Sequence, residues 1–184
     1  MGEVLFNKAQ LNKFQKSMDK IIKDLHSADL TRIEVAQKKF LNLDRKKVFN
    51  LIKINLEHSD SDLRCQAIEL FVILRDKSVN SVLLPLFEDP IDYVRFNLLN
   101  ELLQNNYLDA IFVEPLIEIL ERDHDADVRF LAVGLLGRIG DFKAIPALIK
   151  AKENDFGMDY EGEIVSNAAI DAIQEINNLS THEN

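Results

Sequence analysis

Three arginines, Arg64, Arg95 and Arg129, recur at separations of 31 and 34 residues, each after Leu or Val and each with acidic residues two to six positions upstream. A guanidinium is a permanent cation with a planar fork of donors, so its chemistry is carboxylate recognition. The spacing predicts a structural ladder in which Arg64, Arg95 and Arg129 pair with Asp62, Asp92 and Asp127 or their near neighbours. Partly exposed pairs of this kind contribute about 0–1 kcal/mol each, so they orient a stack more than they stabilise it.

Other reactive side chains form weaker patterns. Asp123, Asp125 and Asp127 alternate like the start of a calcium loop, but Val128 and Gly134 stand where that loop requires Gly and Glu. Helix capping is the expected role of these carboxylates. The four histidines, His26, His58, His124 and His182, include no pair spaced i, i+3 or i+4, so no helix presents a two-histidine metal site. The single Cys65 cannot form an internal disulfide and is expected to be an inert, semi-buried thiol in a reducing compartment. There is no glycine-rich phosphate loop, and "GRIGD" reads as a helix end followed by a turn. The expectation is a non-enzymatic chain with no catalytic residue, no metal ligand and no cofactor.

Helices must position these residues. The chain has 184 residues, 47% of them hydrophobic, and only six Gly and four Pro interrupt it. Composition of this kind favours helices over strands. Three residues after each anchor arginine comes Ala67, Leu98 or Ala132, followed at four, seven and eight positions by Ile68, Leu99 and Val133, by Phe71, Leu102 and Leu136, and by Val72, Leu103 and Gly137. That is one apolar face of an α-helix, and Gly137 is its one lapse. Between the anchors lies a second helical pattern with a proline early in its apolar run: Pro85, Pro115 and Pro146.

Weaker copies extend outward, through Arg32 upstream and through Val165 and Ser166 downstream, where "DFGMDYEG" reads as an insertion or longer turn. Helices are predicted near 9–26, 30–42, 46–57, 62–75, 79–88, 92–105, 109–121, 126–139, 142–153 and 162–177. A helix pair of this size cannot cover its own apolar face and must stack on its neighbours. The fold class expected is all-α, an α-α superhelix of about five helix pairs. It is read as one domain over 1–184, clearest from about 29 to 178, with residues 1–28 as an N-terminal capping helix and 179–184 as a flexible tail.

The stretches "DADVRFLAVGLLGRIGDFKAIPAL" and "AIPALIKAKEND" resemble HEAT repeats, in particular the short phycobilisome-lyase-like variety. The likeness is strong over 123–153, fair over 60–122 and weak at both ends. It implies a right-handed HEAT-like solenoid whose arginine-bearing helices line the concave side, where a macromolecular partner is held. The "EH" at 57–58 and "HE" at 182–183 are similar to the metal motifs of deoxyhypusine hydroxylase, another HEAT-like protein, which needs several such pairs on equivalent helices.

Charge narrows the partner. Residues 1–56 carry 12 Lys/Arg and 6 Asp/Glu, whereas residues 57–184 carry 10 Lys/Arg and 25 Asp/Glu, and the net charge is −9. An acidic surface attracts a basic protein and opposes nucleic acid. The positions on the arginine-bearing helices that share a face apart from the apolar stripe are the expected concave contacts: Gln66, Glu69, Phe96, Asn97, Asn100, Glu101, Gln104, Phe130 and Arg138. Phe96 and Phe130 would be aromatic anchors in a polar strip. The functional expectation is a protein-binding scaffold. The alternatives are an immunity- or antitoxin-type inhibitor of a basic toxin, or an accessory subunit of a bilin lyase. No secretory signal and no stretch of about 18 apolar residues is found, so a cytoplasmic chain, off the membrane and monomeric, is expected.

Overall fold

The computed structural model describes residues 27–181, with Lys16, Lys20, Ile21, Lys23 and Asp24 ahead of them. The order is α1 (Leu30–Leu41), α2 (Arg45–Leu56), α3 (Ser61–Leu74), a 3₁₀ segment (Lys77–Glu88) and α4 (Asp92–Gln104). A 3₁₀ turn (Ala110–Phe112) then leads into α5 (Val113–Arg122), followed by α6 (Ala126–Ile139). A second 3₁₀ turn (Phe142–Ala144) leads into α7 (Ile145–Asn154), and α8 (Val165–Thr181) closes the order. Among the described residues there is no strand beyond a single bridge between Met158 and Ile164. The fold is all-α, with helices packed in adjacent pairs.

The helix expected over 9–26 and residues 182–184 lie mostly or wholly outside the described residues. Two expectations need correcting. The helix expected from 79 to 88 is 3₁₀ throughout. Pro85 sits deep in that run, and in an α-helix its ring would clash with the carbonyl of Ser81. The last helix starts at Val165 instead of 162 and continues to Thr181, past the expected start of the tail at 179.

The chain divides into two compact units, Met1–Leu51 and Ile52–Asn184. In the first, the Asp29 side chain caps α1 by accepting from the N–H groups of Thr31 and Arg32. Ala36, Phe40, Val48 and Leu51 are its buried residues, along with Ile21. Arg32 pairs with Asp24, and that hydrogen bond holds the Asp24 carboxyl below its ordinary value.

In the second unit, α3, α4, α6 and α8 pack in succession as one row. The 3₁₀ segment, α5 and α7 form a second row, with α5 against α6 and α7 against α8. The apolar stripe read from the arginine anchors is the interior of this two-row stack. Ala67, Ile68, Phe71, Val72, Leu98, Leu99, Leu102, Ala132, Val133, Leu136 and Gly137 are all buried. On α8 the buried face is narrower, formed by Val165, Ala169, Ala172 and Ile176, while Ile170 is exposed. Gly137 is where α6 crosses α8: a Cβ there would stand 3.0 Å from both Cα and Cβ of Ala172. The lapse in the apolar pattern is thus a close helix contact.

A buried polar cluster joins the 3₁₀ segment to the loop after α4. The Tyr107 hydroxyl donates to Asn80 Oδ1 at 2.6 Å, and Asn80 Nδ2 donates to Asp109 at 3.0 Å. Asp109 also accepts from the Ile111 N–H at 3.1 Å. Burial pushes the Tyr107 phenol up to about 12. Tyr107→Phe should lower stability to urea by about 1–3 kcal/mol, because it strands a buried acceptor. An unchanged midpoint would show that Asn80 is satisfied without the hydroxyl.

Candidate functional site

The arginines form a ladder that runs from each helix to the acidic turn before the next, with aspartates other than Asp62, Asp92 and Asp127 themselves. Arg64 donates from Nε and Nη2 to Asp89 at 2.7 and 2.8 Å. Arg95 holds Asp123 in the same bidentate way at 2.6 and 2.8 Å, and Arg129 holds Asp155 at 2.7 and 2.9 Å. Asp62, Asp92 and Asp127 lie only two or three residues before their arginines, in the first turn of the same helix. A residue two positions before the arginine does not face it along a helix, and Asp92, three before Arg95, accepts instead from the Tyr93 N–H. The partners are the carboxylates of the loop that leads into the next helix of the row.

Each arginine also reaches back into the loop before its own helix. Arg64 Nη1 donates to the carbonyls of His58 and Ser59 at 2.8 and 3.1 Å. Arg95 Nη1 donates to the Asp89 carbonyl at 2.7 Å, and Arg129 Nη1 to the Asp123 carbonyl at 2.9 Å. Asp89 and Asp123 are therefore double links: the carboxylate takes one arginine and the main-chain carbonyl takes the next.

The carboxylates are held in place as well. Asp89, Asp123 and Asp155 each accept from the N–H two residues on, that of Ile91, Asp125 and Gly157, at 3.0, 3.0 and 3.1 Å. In the first loop His58 takes this place, its Nδ1 accepting from the Asp60 N–H at 3.0 Å. At the other end, Ser166 stands where the next arginine would be, and its own N–H donates to the Asp155 carbonyl at 3.0 Å. A clue to the true partners lay in the sequence: an Asp stands six residues before both Arg95 and Arg129.

The first rung is the most enclosed, with side-chain exposures of 9% for Arg64 and 5% for Asp89. The bidentate bonds to aspartate push all three guanidinium groups up from their ordinary value. Burial by itself would raise the Asp123 carboxyl, but the Arg95 fork and the Asp125 N–H outweigh it and hold the group below its ordinary value. Asp155 is held down in the same way by Arg129 and the Gly157 N–H. Carboxyls depressed in the folded state contribute stability above their unfolded value, near pH 4, and lose it as pH falls through the lower folded value. Stability to urea should therefore be flat from neutral pH down to about 5 and fall steeply below about 4, with a shallower fall in Asp123→Asn. Equal acid slopes in the two proteins would remove the ladder from the acid response.

The other sequence-selected carboxylates accept from main-chain N–H groups. Asp125 caps α6, accepting from the N–H groups of Asp127 and Val128. Asp127 accepts from the Tyr160 N–H at 2.6 Å and so fastens the insertion between α7 and α8. Among the described residues no group of three or more His, Cys, Asp or Glu could hold a metal ion. Cys65 is buried, and desolvation pushes its thiol up to about 11, which makes it a poor nucleophile at neutral pH.

The expected contact residues are spread along the row. Phe96 and Phe130 are half-buried, as are Gln66, Glu69, Asn97, Asn100 and Glu101, while Gln104 and Arg138 are exposed. Arg138 Nη1 donates to the Leu103 carbonyl at 3.1 Å, and Glu101 accepts from Asn105 Nδ2 at 3.1 Å. Asn97 Oδ1 is buried without a hydrogen bond. Phe96 lines a cleft of about 240 Å³ shared with Asp92, Tyr93, Asp125, Asp127 and Tyr160. Spacing arguments missed Tyr93 and Tyr160, because one lies on α4 and the other on the insertion between α7 and α8, far apart along the chain. A larger cleft of about 850 Å³ opens between the 3₁₀ segment and α5, with Phe87, Glu88, Ile111, Glu118 and Arg122 on its walls.

No family model and no curated protein matches the chain. Among the described residues, no helix is long and apolar enough to cross a membrane.

Proposed function

We propose that the chain is a non-enzymatic binding scaffold of the HEAT-repeat kind, which holds a protein with a basic surface against the row α3, α4, α6 and α8. The segregation of charge carries this reading. Beyond the three ladder arginines, Arg138 is the one Lys or Arg in the sequence of those four helices. Asp62, Asp92, Asp127, Asp171 and Glu175 lie on them, and Glu161 and Glu163 on the adjoining insertion. The ladder arginines are each committed to an aspartate, so their charge is balanced locally. On the other row, lysines meet glutamates instead: Lys143 pairs with Glu114 at 3.7 Å and Lys150 with Glu121 at 3.2 Å.

A surface of one sign speeds the encounter with an oppositely charged protein and rejects nucleic acid. An inhibitor of a basic toxin is the specific form of scaffold that such a face would suit. The experiment is capture from a lysate of the native host on the immobilised chain, beside a variant carrying Glu161→Lys, Asp171→Lys and Glu175→Lys. The expected partners are basic, elute as salt rises, and are held about tenfold less by the variant. Equal retention of the same partners by the variant would overturn the reading.

A further inference from the structure

We propose that Tyr93, Phe96 and Tyr160, with Asp92, Asp125 and Asp127, form a docking cleft for an arginine side chain of a basic partner protein. The inference rests on the reading above and locates the anchor within the acidic row.

The cleft combines aromatic surface with negative charge. Tyr93 and Tyr160 are 57% and 74% exposed, unusual for rings in a chain with an ample core. On the same insertion Phe156 and Met158 are also exposed, at alternate positions with Tyr160. No Lys or Arg lines the cleft. Asp92, Asp125 and Asp127 each have one oxygen committed to a main-chain N–H: that of Tyr93, those of Asp127 and Val128, and that of Tyr160. None of the three is in an ion pair among the described residues. Arg95 and Arg129 lie close enough to feel these carboxylates, but their forks are taken by Asp123 and Asp155.

The site is also built in advance. Asp159 is buried and accepts from the N–H groups of Glu161 and Glu163 at 2.9 and 2.8 Å. Its own N–H donates to the Glu163 carbonyl at 2.9 Å, and Met158 bridges Ile164. The insertion is thus closed on itself and tied to α6 through Asp127, so a partner need not order it on binding. Charge selects the occupant. Aromatic faces beside carboxylates favour a cation that is flat, weakly hydrated and rich in donors, and guanidinium is that cation.

The test is a titration of a labelled oligoarginine peptide at low salt. Native chain should bind it, and Tyr93→Ser with Tyr160→Ser should weaken binding about tenfold. Tyr93→Phe with Tyr160→Phe should bind within about twofold of native, because the ring faces remain. Phe142→Ser removes an exposed aromatic elsewhere and should change nothing. Both tyrosines are surface residues, so circular dichroism and melting should be unchanged in the double variants. Native affinity in the double serine variant, or no binding to the native chain, overturns the cleft. If the three-lysine variant loses its captured partners while the double serine variant still binds peptide normally, the cleft falls and the acidic face stands. If the three-lysine variant keeps its partners, the acidic face falls instead.

Discussion

Asp89→Ala should destabilise the protein by about 3–5 kcal/mol, the range for removing one member of a buried ion pair. Both partners of this rung are nearly inaccessible to water. Without the carboxylate, the Arg64 guanidinium keeps the His58 and Ser59 carbonyls but loses its one ion-pair partner among the described residues. The Ile91 N–H loses its acceptor in the same substitution. Urea unfolding followed by far-UV circular dichroism gives the free energy. Lys143→Ala breaks an exposed pair and should stay within about 0.5 kcal/mol of native, which calibrates the scale. A double-mutant cycle with Arg64→Ala should show coupling of about 2 kcal/mol or more. If Asp89→Ala costs less than about 1 kcal/mol, the rung is ornamental and the ladder has no energetic role.

Gly157→Ala should cost about 2–3 kcal/mol, at the upper end of what one added methyl group does in a packed site. The reason is space, because only Gly140 and Gly162 among the described glycines have positive φ. A Cβ at 157 would lie 2.5 Å from Arg129 Nη2 and 3.1 Å from both Ala126 Cβ and Asp155 Oδ1. A guanidinium is mobile, but moving this one breaks the bidentate bond to Asp155. Gly162 supplies the contrast. Its φ is 89° with nothing within 4 Å of a Cβ, so Gly162→Ala meets only the backbone penalty of about 1–2 kcal/mol. Thermal melts of the two variants, each paired with Arg129→Lys, separate the mechanisms. Only the Gly157→Ala effect should shrink in the Arg129→Lys background. Equal costs in both backgrounds would rule out the clash.

The helical scaffold was legible because burial imposes a period. The positions three, four, seven and eight after each arginine are buried as a set, apart from half-buried Leu103. What that period could not show was the pairing of the arginines. Asp62, Asp92 and Asp127 were the nearest carboxylates along the chain, whereas Asp89, Asp123 and Asp155 become neighbours only after a whole helix has folded back. The 3₁₀ path over Lys77–Glu88 was hidden because its apolar spacing suits either kind of helix. The cleft was half visible. Phe96 was picked from its helical position, but Tyr160 comes from an insertion whose course depends on hydrogen bonds to Asp127 and Asp159. Periodicity has nothing to say about such a loop.

The double use of Asp89 and Asp123 has a consequence for how the array comes apart. These two loops are each clasped from two sides, by the arginine before and the arginine after, so no middle helix of the row can peel away without opening both clasps. The clasping stops at His58 on one side and Ser166 on the other. Fraying should begin at those two borders and work inward, leaving Asp92–Ile139 as the last stretch to let go.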